Sequence, residues 1–281
     1  MNIFDIPEDF KQTIPFQYPA HQRNKLIEEY FLEFVNREKV NSKYTYLPIM
    51  WTGYHIRNNW GNDFHSVQQF CNSLPKDNTY FTIVQYDDGI KIDMPNLITF
   101  SCCGNKSNVL NDVPIPLICD RHNVKKKNDD FLVSFIGRIG SKVRPKMFSE
   151  LSGKPGFHLQ DSGDNTSLFL EYLTRSTFSL CPRGYGISSF RLYESLEIGS
   201  IPIYIVGDDD EFWLPFSKDV DWEKASILLK ESQICKIPEI VHTMNISEIE
   251  ERRSYINSIY ETYFTMEGCS RQILNQIETQ L

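Results

Sequence analysis

The chain has 281 residues, 41% of them hydrophobic and 23% charged, with a formal net charge of −8. This composition excludes wholesale disorder, and at roughly 100–200 residues per domain the length points to two domains or one large one. The acidic balance excludes a nucleic-acid partner held by neutralising its phosphate backbone, yet leaves room for a local basic pocket around one small anion.

Taken in chain order, residues 19–40 place Leu26, Tyr30 and Phe34 on one face, with Ile27, Phe31 and Val35 beside it. This is helical spacing, with Pro19 at the expected start. A β-rich run, YTYLPIMW, follows, then polar residues with Gly61. Val67, Phe70, Cys71 and Leu74 predict a second helix. YFTIVQY reads as a buried strand ending in the turn Asp87-Asp88-Gly89, and LITFSCC and VPIPLIC as two more strands. The charged run RHNVKKKNDD, 121–130, reads as a solvated linker and the domain boundary. Beyond it the strands FLVSFIG, GFHLQ, TFSLC, SIPIYIV and ASILLK appear, with helices over RPKMFSEL, Thr166 to Arg175 and Ser188 to Gly199 among the first four. Such alternation predicts parallel βαβ units. From Ser247 to Leu281 the pattern is helical.

The N-terminal segment MNIFDIPEDF lacks a basic stretch followed by an apolar one, so no secretory signal is expected. No run approaches the roughly 20 apolar residues of a membrane span, so a soluble, cytoplasmic protein is expected. The seven cysteines are odd in number and contain no C-x-x-C, which favours buried free thiols over a disulfide scaffold or a zinc site.

The most informative stretch is CPRGYGISSFRLYESLEIGSIPIY, Cys181 to Tyr204. A buried strand ends in Pro182-Arg183-Gly184-Tyr185-Gly186, where the two glycines permit positive φ and close backbone approach. Ser188 or Ser189 can cap the helix that follows, and a Gly-bearing loop entering a helix N-terminus is a ready anion site. Arg183 and Arg191 add positive charge suited to a diphosphate. Glu194 lies six residues past Ser188, about 9 Å along the axis, where it can accept hydrogen bonds from a ribose. Trp51, Tyr54 and Trp60 cluster in the first half, as a core or as a stacking surface for sugars. No G-x-x-x-x-G-K-[ST] loop or Gly-rich dinucleotide fingerprint is present, which argues against a kinase or a dehydrogenase.

The stretch resembles the signature of the exostosin-like glycosyltransferases, family 47, whose pattern is a Pro-Arg-Gly turn, then Ser-x-Arg-x-x-Glu-Ala, then Gly-Cys-Ile-Pro-Val. Here these stand as Pro182-Arg183-Gly184, Ser189-Phe190-Arg191, Glu194-Ser195 and Gly199-Ser200-Ile201-Pro202-Ile203. Phe135-Ile136-Gly137-Arg138 with Arg144, then Pro215-Phe216 and Asp221-Trp222, extend the similarity. In the first half, TYLPIMWTGYH and FTIVQYDDG resemble shorter members, with Tyr86 where many have His before Asp-x-Gly. The departures are Ser195 for Ala, Ser200 for Cys and Tyr86 for His.

The resemblance implies an α/β GT-B fold of two Rossmann-like domains facing a central cleft. Residues 1–122 would form the acceptor side and 123–246 the nucleotide-sugar side, with helices of 247–281 packing back toward the first domain. It implies an inverting transfer from a UDP-sugar to a hydroxyl of a glycan acceptor, within a family range that admits a pentose such as xylose. The UDP-sugar is a co-substrate, and no cofactor or metal is expected. Donor-binding candidates are Arg138, Arg144, Arg183, Gly184, Tyr185, Ser188, Ser189, Arg191 and Glu194. An inverting transfer needs a general base; Asp87 leads, followed by Asp88, His55 and Asp63, although Asp before Gly is also a common turn former. Two alternatives stand beside this reading. One is a non-catalytic nucleotide or carbohydrate binder on the same fold. The other is a metal-dependent glycosyltransferase using Asp208 and Asp210 of the acidic triplet after a strand.

Overall fold

The computed structural model describes residues 2–17, 23–38, 42–104, 112–140, 142–162 and 166–279. In chain order the elements are β1 (Asn2–Ile3), α1 (Glu8–Lys11), β2 (Phe16–Gln17), β3 (Arg23–Asn24), α2 (Ile27–Glu38), β4 (Thr45–Tyr46), α3 (Trp51–Arg57), α4 (His65–Ser73), β5 (Tyr80–Val84), β6 (Leu97–Ser101) and β7 (Asp112–Pro114). They continue with β8 (Phe131–Ile136), α5 (Arg144–Leu151), β9 (Phe157–Gln160), α6 (Thr166–Leu173), β10 (Ser176–Pro182), α7 (Phe190–Ile198), β11 (Ile201–Val206), α8 (Trp222–Ala225), β12 (Ile227–Lys230), α9 (Ile237–Thr243), α10 (Ile246–Tyr263) and α11 (Met266–Thr279). Among the described residues, no helix is long and apolar enough to cross a membrane.

The chain divides into two compact units. The first comprises Met1–Tyr18, Arg23–Asp120 and Thr265–Leu281. Its sheet is parallel throughout, in the order β1-β4-β5-β6-β7. All five residues of β5 are buried, as expected of a parallel strand covered on both faces. The strand period of two assigns its side chains. Phe81 meets Phe31 of α2 and stacks on Tyr46 at 5.0 Å, while Thr82 accepts from the Trp51 indole at 2.8 Å. α11 closes this unit through Glu267, which accepts from Tyr30 at 2.9 Å and Arg37 at 2.7 Å.

The second unit is built on Arg121–Phe264. Its five strands are also all parallel, in the order β12-β11-β10-β8-β9. β10 and β11 are buried along their whole length. α7 buries Leu192, Tyr193, Leu196 and Ile198 and ends at Gly199, whose φ of +85° makes the left-handed cap that glycine adopts without strain.

Five expectations change. The first helix begins at Ile27 rather than near Pro19; residues 19–22 and 39–41 lie outside the described residues. YTYLPIMW contributes only Thr45–Tyr46 as strand, since Pro48 has no amide for a ladder, and Trp51 starts α3. VPIPLIC is strand only to Pro114, at the first of its two prolines. The charged run 121–130 is an exposed loop at the unit boundary, as expected, but several of its charges are tied to the second unit. Lys126 donates to the Ser176 carbonyl at 2.7 Å, Asp129 pairs with Arg253 at 2.7 Å and Asp130 with Arg175 at 2.7 Å. The helical tail also divides, α10 lying in the second unit and α11 in the first.

Candidate functional site

Numbered within the second unit, its strands run 2-1-3-4-5 across the sheet. The chain leaves β8 toward one edge to form β9, then returns to place β10 on the other side. In open parallel sheets such a reversal opens a crevice at the carboxyl ends of the two diverging strands, and ligands bind there. The crevice here lies beyond Ile136 of β8 and Pro182 of β10. The loops that begin there carry Arg138 and Arg183, and lead into α5, which opens with Arg144, and α7, which carries Arg191 in its first turn. In the first unit the strands follow chain order with no reversal.

Arg191 is the best-held of the four. Its guanidinium lies 4.3 Å from the ring centroids of both Phe135 and Phe169 and donates to the Ile136 carbonyl at 2.6 Å. Flanking aromatic faces hold a cation through their quadrupoles. Gly137 makes this approach possible, since a Cβ there would stand 2.7 Å from Arg191 Nη2. Arg144 approaches the Phe135 ring too, at 5.8 Å. It also ties the two loops together, donating to the Arg138 carbonyl at 2.9 Å and the Arg183 carbonyl at 3.3 Å. Arg138 itself is exposed at the end of β8.

Arg183 is placed differently. It is buried and forms an ion pair with Asp210, and its Nη2 donates to the Tyr185 carbonyl at 2.7 Å. Its charge is thus matched inside the protein, and it braces the turn of Gly184 and Tyr185 rather than facing the crevice as a free cation. The Tyr185 side chain is exposed. Neither Gly184 nor Gly186 has positive φ, contrary to expectation. A Cβ at Gly184 would lie 3.7 Å from Arg144 Nη2, an ordinary contact, so no close approach requires glycine there either. Two members of the acidic triplet are engaged by the fold as well. The Asp210 carboxylate accepts from Gly207 N at 2.9 Å, and the Asp208 carboxylate accepts from Ser232 N at 2.9 Å. Asp210 is held below the usual carboxylate range despite partial burial, mainly by its hydrogen bond to Arg183 and that residue's charge.

Ser189, not Ser188, is the N-cap of α7, with extended backbone at φ −152° and ψ 136°, and its side chain makes no capping bond. Ser188 is buried, its hydroxyl 3.3 Å from that of Tyr193. Glu194, one turn further, is 2% exposed. Its Oε1 lies 2.7 Å from Nε2 of His122, whose backbone N–H donates to Glu197 at 2.9 Å. Burial opposes the His122 charge, but its hydrogen bond to Glu194 and the charges of Glu194 and Glu197 outweigh it and raise its pKa. Sequence reasoning missed His122, which is disguised in a run of charged residues.

In the first unit, Asp87 and Asp88 are half-buried in a turn closed by Gly89 N donating to Tyr86 O at 2.9 Å, just beyond β5. His55 is fully buried and in contact with the Tyr86 ring, centroids 4.9 Å apart. Burial and the Lys91 charge push its pKa down to about 4, so it is neutral near pH 7. Asp63 is exposed. Trp51 and Tyr54 belong to the core, leaving Trp60 alone of the aromatic trio at the surface. A second residue missed by sequence reasoning is Glu28. Fully buried, its carboxylate accepts from Thr52 Oγ1 at 2.7 Å, Gln85 N at 2.8 Å and Thr52 N at 3.1 Å. It therefore joins the start of α2, the start of α3 and the end of β5. The available signal was a carboxylate at i, i+3 and i+7 spacing with Phe31 and Val35, inside the apolar stripe of α2.

The Exostosin GT47 domain family matches residues 101–244, just over half of the chain. The chain belongs to the exostosin GT47 family. The matched segment contains every residue described at the β8–β10 crevice, together with His122 and Glu194. Over 222 residues the chain is 28% identical to an Exostosin-1 homolog of Caenorhabditis elegans, covering 65% of this chain and 57% of that one. It is 30% identical over 161 residues to Exostosin-1 of Drosophila melanogaster, covering 49% and 21%. It is also 30% identical over 113 residues to a probable glucuronosyltransferase of Oryza sativa subsp. japonica, covering 40% and 26%. This exostosin-family chain thus spans little more than half the length of the first relative and about a quarter or less of the other two. Among solved structures, that of TarM is a distant likeness, at 10% identity and a TM-score of 0.43 over 89% of this chain and 58% of that one.

Proposed function

We propose that the chain is an inverting glycosyltransferase that moves a sugar from a UDP-sugar to a hydroxyl of a glycan acceptor. The observation that carries this reading is Arg191, a guanidinium held between Phe135 and Phe169 at the strand reversal of an exostosin-family domain. Charge that grows on a departing diphosphate is stabilised most by cations already in place, since they need not reorganise during the reaction. Arg191, Arg144 and Arg138 serve that role, with the loop entering α7 close by. Glu194 takes the ribose hydroxyls. In the first unit, Asp87 removes the acceptor proton as the acceptor oxygen bonds to the anomeric carbon and the carbon–oxygen bond to the diphosphate breaks. Free, mostly buried cysteines fit a reducing compartment such as the cytoplasm.

The test is a thermal-shift series with UDP, GDP and their sugars, because a ligand that binds only the folded state raises its melting temperature. UDP and one UDP-sugar should stabilise the wild type and fail to stabilise Arg191→Ala. Equal stabilisation of both proteins would overturn the donor site. Asp87→Asn should retain UDP affinity and lose UDP release in the presence of an acceptor. Transfer at the wild-type rate would move the base elsewhere. A folded wild type that binds UDP-sugars and never releases UDP would be a binder rather than an enzyme.

A further inference from the structure

The chain has four tryptophans, and three of them, Trp51, Trp213 and Trp222, are buried. Trp60 is 61% exposed. Its backbone is as unusual as its exposure, since Asn59, Trp60 and Gly61 have consecutive φ values of +51°, +55° and +75°. For a bulky residue this left-handed conformation is strained, and it persists only where its surroundings enforce it. Those surroundings can be named. The Trp60 carbonyl accepts from the Tyr86 hydroxyl at 3.1 Å and from Lys91 Nζ at 3.5 Å. Beneath the turn, Gly61 packs so closely on His55 that a Cβ would stand 2.9 Å from its Nδ1.

We propose that Trp60 is the platform on which a sugar ring of the acceptor stacks. The proposal rests on the glycosyltransferase reading and adds the residue that grips the acceptor. An aromatic residue with nothing to bind would lower its energy by burial and by leaving the left-handed region. This turn does the opposite, holding an indole outward. Its two clamps, Tyr86 and Lys91, lie on the loop that carries Asp87 and Asp88. An apolar face whose turn is bound to a loop bearing two carboxylates and an ammonium offers the combination a saccharide requires. The indole covers the ring's C–H face while the charged groups take its hydroxyls. The same geometry gives Tyr86, which stands where many family members have His, a role in holding the platform.

The test uses the full chain and cellotetraose, xylotetraose, chitotetraose and mannotetraose as probes. Acrylamide quenching of tryptophan fluorescence reports chiefly on Trp60. At least one oligosaccharide should protect the indole and also accelerate UDP release from a UDP-sugar. Trp60→Ala should raise the KM for that oligosaccharide roughly three- to tenfold with kcat nearly unchanged, and Trp60→Phe should recover part of the loss. Trp60→Gly, which suits the backbone, should lose acceptor affinity in the same way while its melting temperature is kept or raised. The proposal is overturned if none of the four protects the indole, or if the stimulating oligosaccharide keeps its KM in Trp60→Ala. Protection that grows with protein concentration in the absence of sugar would assign the surface to a second copy and also overturn it. Failure of the transferase reading is separately visible. In that case UDP-sugars neither bind nor turn over, whatever the oligosaccharides do to Trp60.

Discussion

His122 Nε2 and Glu194 Oε1 stand 2.7 Å apart, with both side chains sealed from solvent. The contact spans 72 residues and ties the entry of the second unit to α7. It engages one carboxylate oxygen of Glu194, the residue proposed to take the ribose hydroxyls. Glu194→Ala should therefore weaken UDP binding at least tenfold by calorimetry, the usual scale of a charge-assisted hydrogen bond. His122→Gln should weaken it less, because the carboxylate remains and only its orientation loosens. Unchanged affinity in Glu194→Ala would remove the ribose assignment.

The same pair makes stability depend on pH. The His122 pKa is raised above its ordinary 6.5 by Glu194 and Glu197 against the opposing effect of burial. A raised histidine pKa contributes stability that is fully present below pH 6.5 and is lost as pH rises through the folded value. Urea unfolding of the wild type should weaken over that interval. His122→Gln should show a shallower slope there, and parallel curves would show that the imidazolium contributes nothing.

The βαβ segment from Cys181 to Tyr204 was legible in the sequence because its signals are local. An apolar strand, a Gly-bearing turn, a serine cap and a terminal glycine each act within a few residues of one another. The pairings that decide the site are not local. Arg183 read as a donor cation, yet its partner Asp210 lies 27 residues on, brought close because β10 and β11 end side by side. Asp210 in turn read as a metal candidate for the same reason. The cage around Arg191 depends on Phe169 from α6, and periodicity cannot say which aromatic residue closes over which cation. His122 and Glu28 were missed because burial, not residue type, gives them their roles.

Gly137→Ala isolates the Arg191 geometry. Gly137 does not need a positive φ, so alanine is sterically acceptable to the backbone, but its Cβ would lie 2.7 Å from Arg191 Nη2. The guanidinium must then leave the Ile136 carbonyl and tilt out from between the two rings. Donor KM should rise at least tenfold while the melting temperature changes by only a few degrees. An unaltered KM would mean that the caged position of Arg191 is irrelevant to the donor.

The Arg183–Asp210 pair predicts a structural phenotype for the acidic triplet. Asp210→Ala leaves a buried guanidinium without its counter-charge, a change that typically costs about 3–5 kcal/mol. Asp208→Ala loses the acceptor for the backbone and side chain of Ser232 at an exposed position and should cost far less. In both variants any residual transfer should be insensitive to EDTA. If EDTA abolishes wild-type transfer and Mn²⁺ restores it, the triplet, or another set of ligands, holds a metal during turnover.

Glu28 gives the clearest pH signature of the first unit. Complete burial raises its pKa from 4.5 to about 7, against the lowering effect of hydrogen bonds from Gln85 and Thr52. The folded protein thus keeps a proton that the unfolded chain releases, and its stability is greatest below pH 4.5, declines toward pH 7 and levels off above it. The full decline amounts to roughly 3 kcal/mol. Glu28→Gln has nearly the same shape and can still accept from Gln85 N and Thr52 N through its carbonyl oxygen. It should flatten the decline in urea unfolding between pH 5 and 7 and match or exceed the wild type at pH 8. Because Gln85 precedes the turn of Asp87 and Asp88, the variant also tests whether this buried charge shapes the acceptor side. A kcat altered above pH 7 with UDP affinity unchanged would mean that it does, whereas an unchanged kcat would limit Glu28 to holding α2, α3 and β5 together.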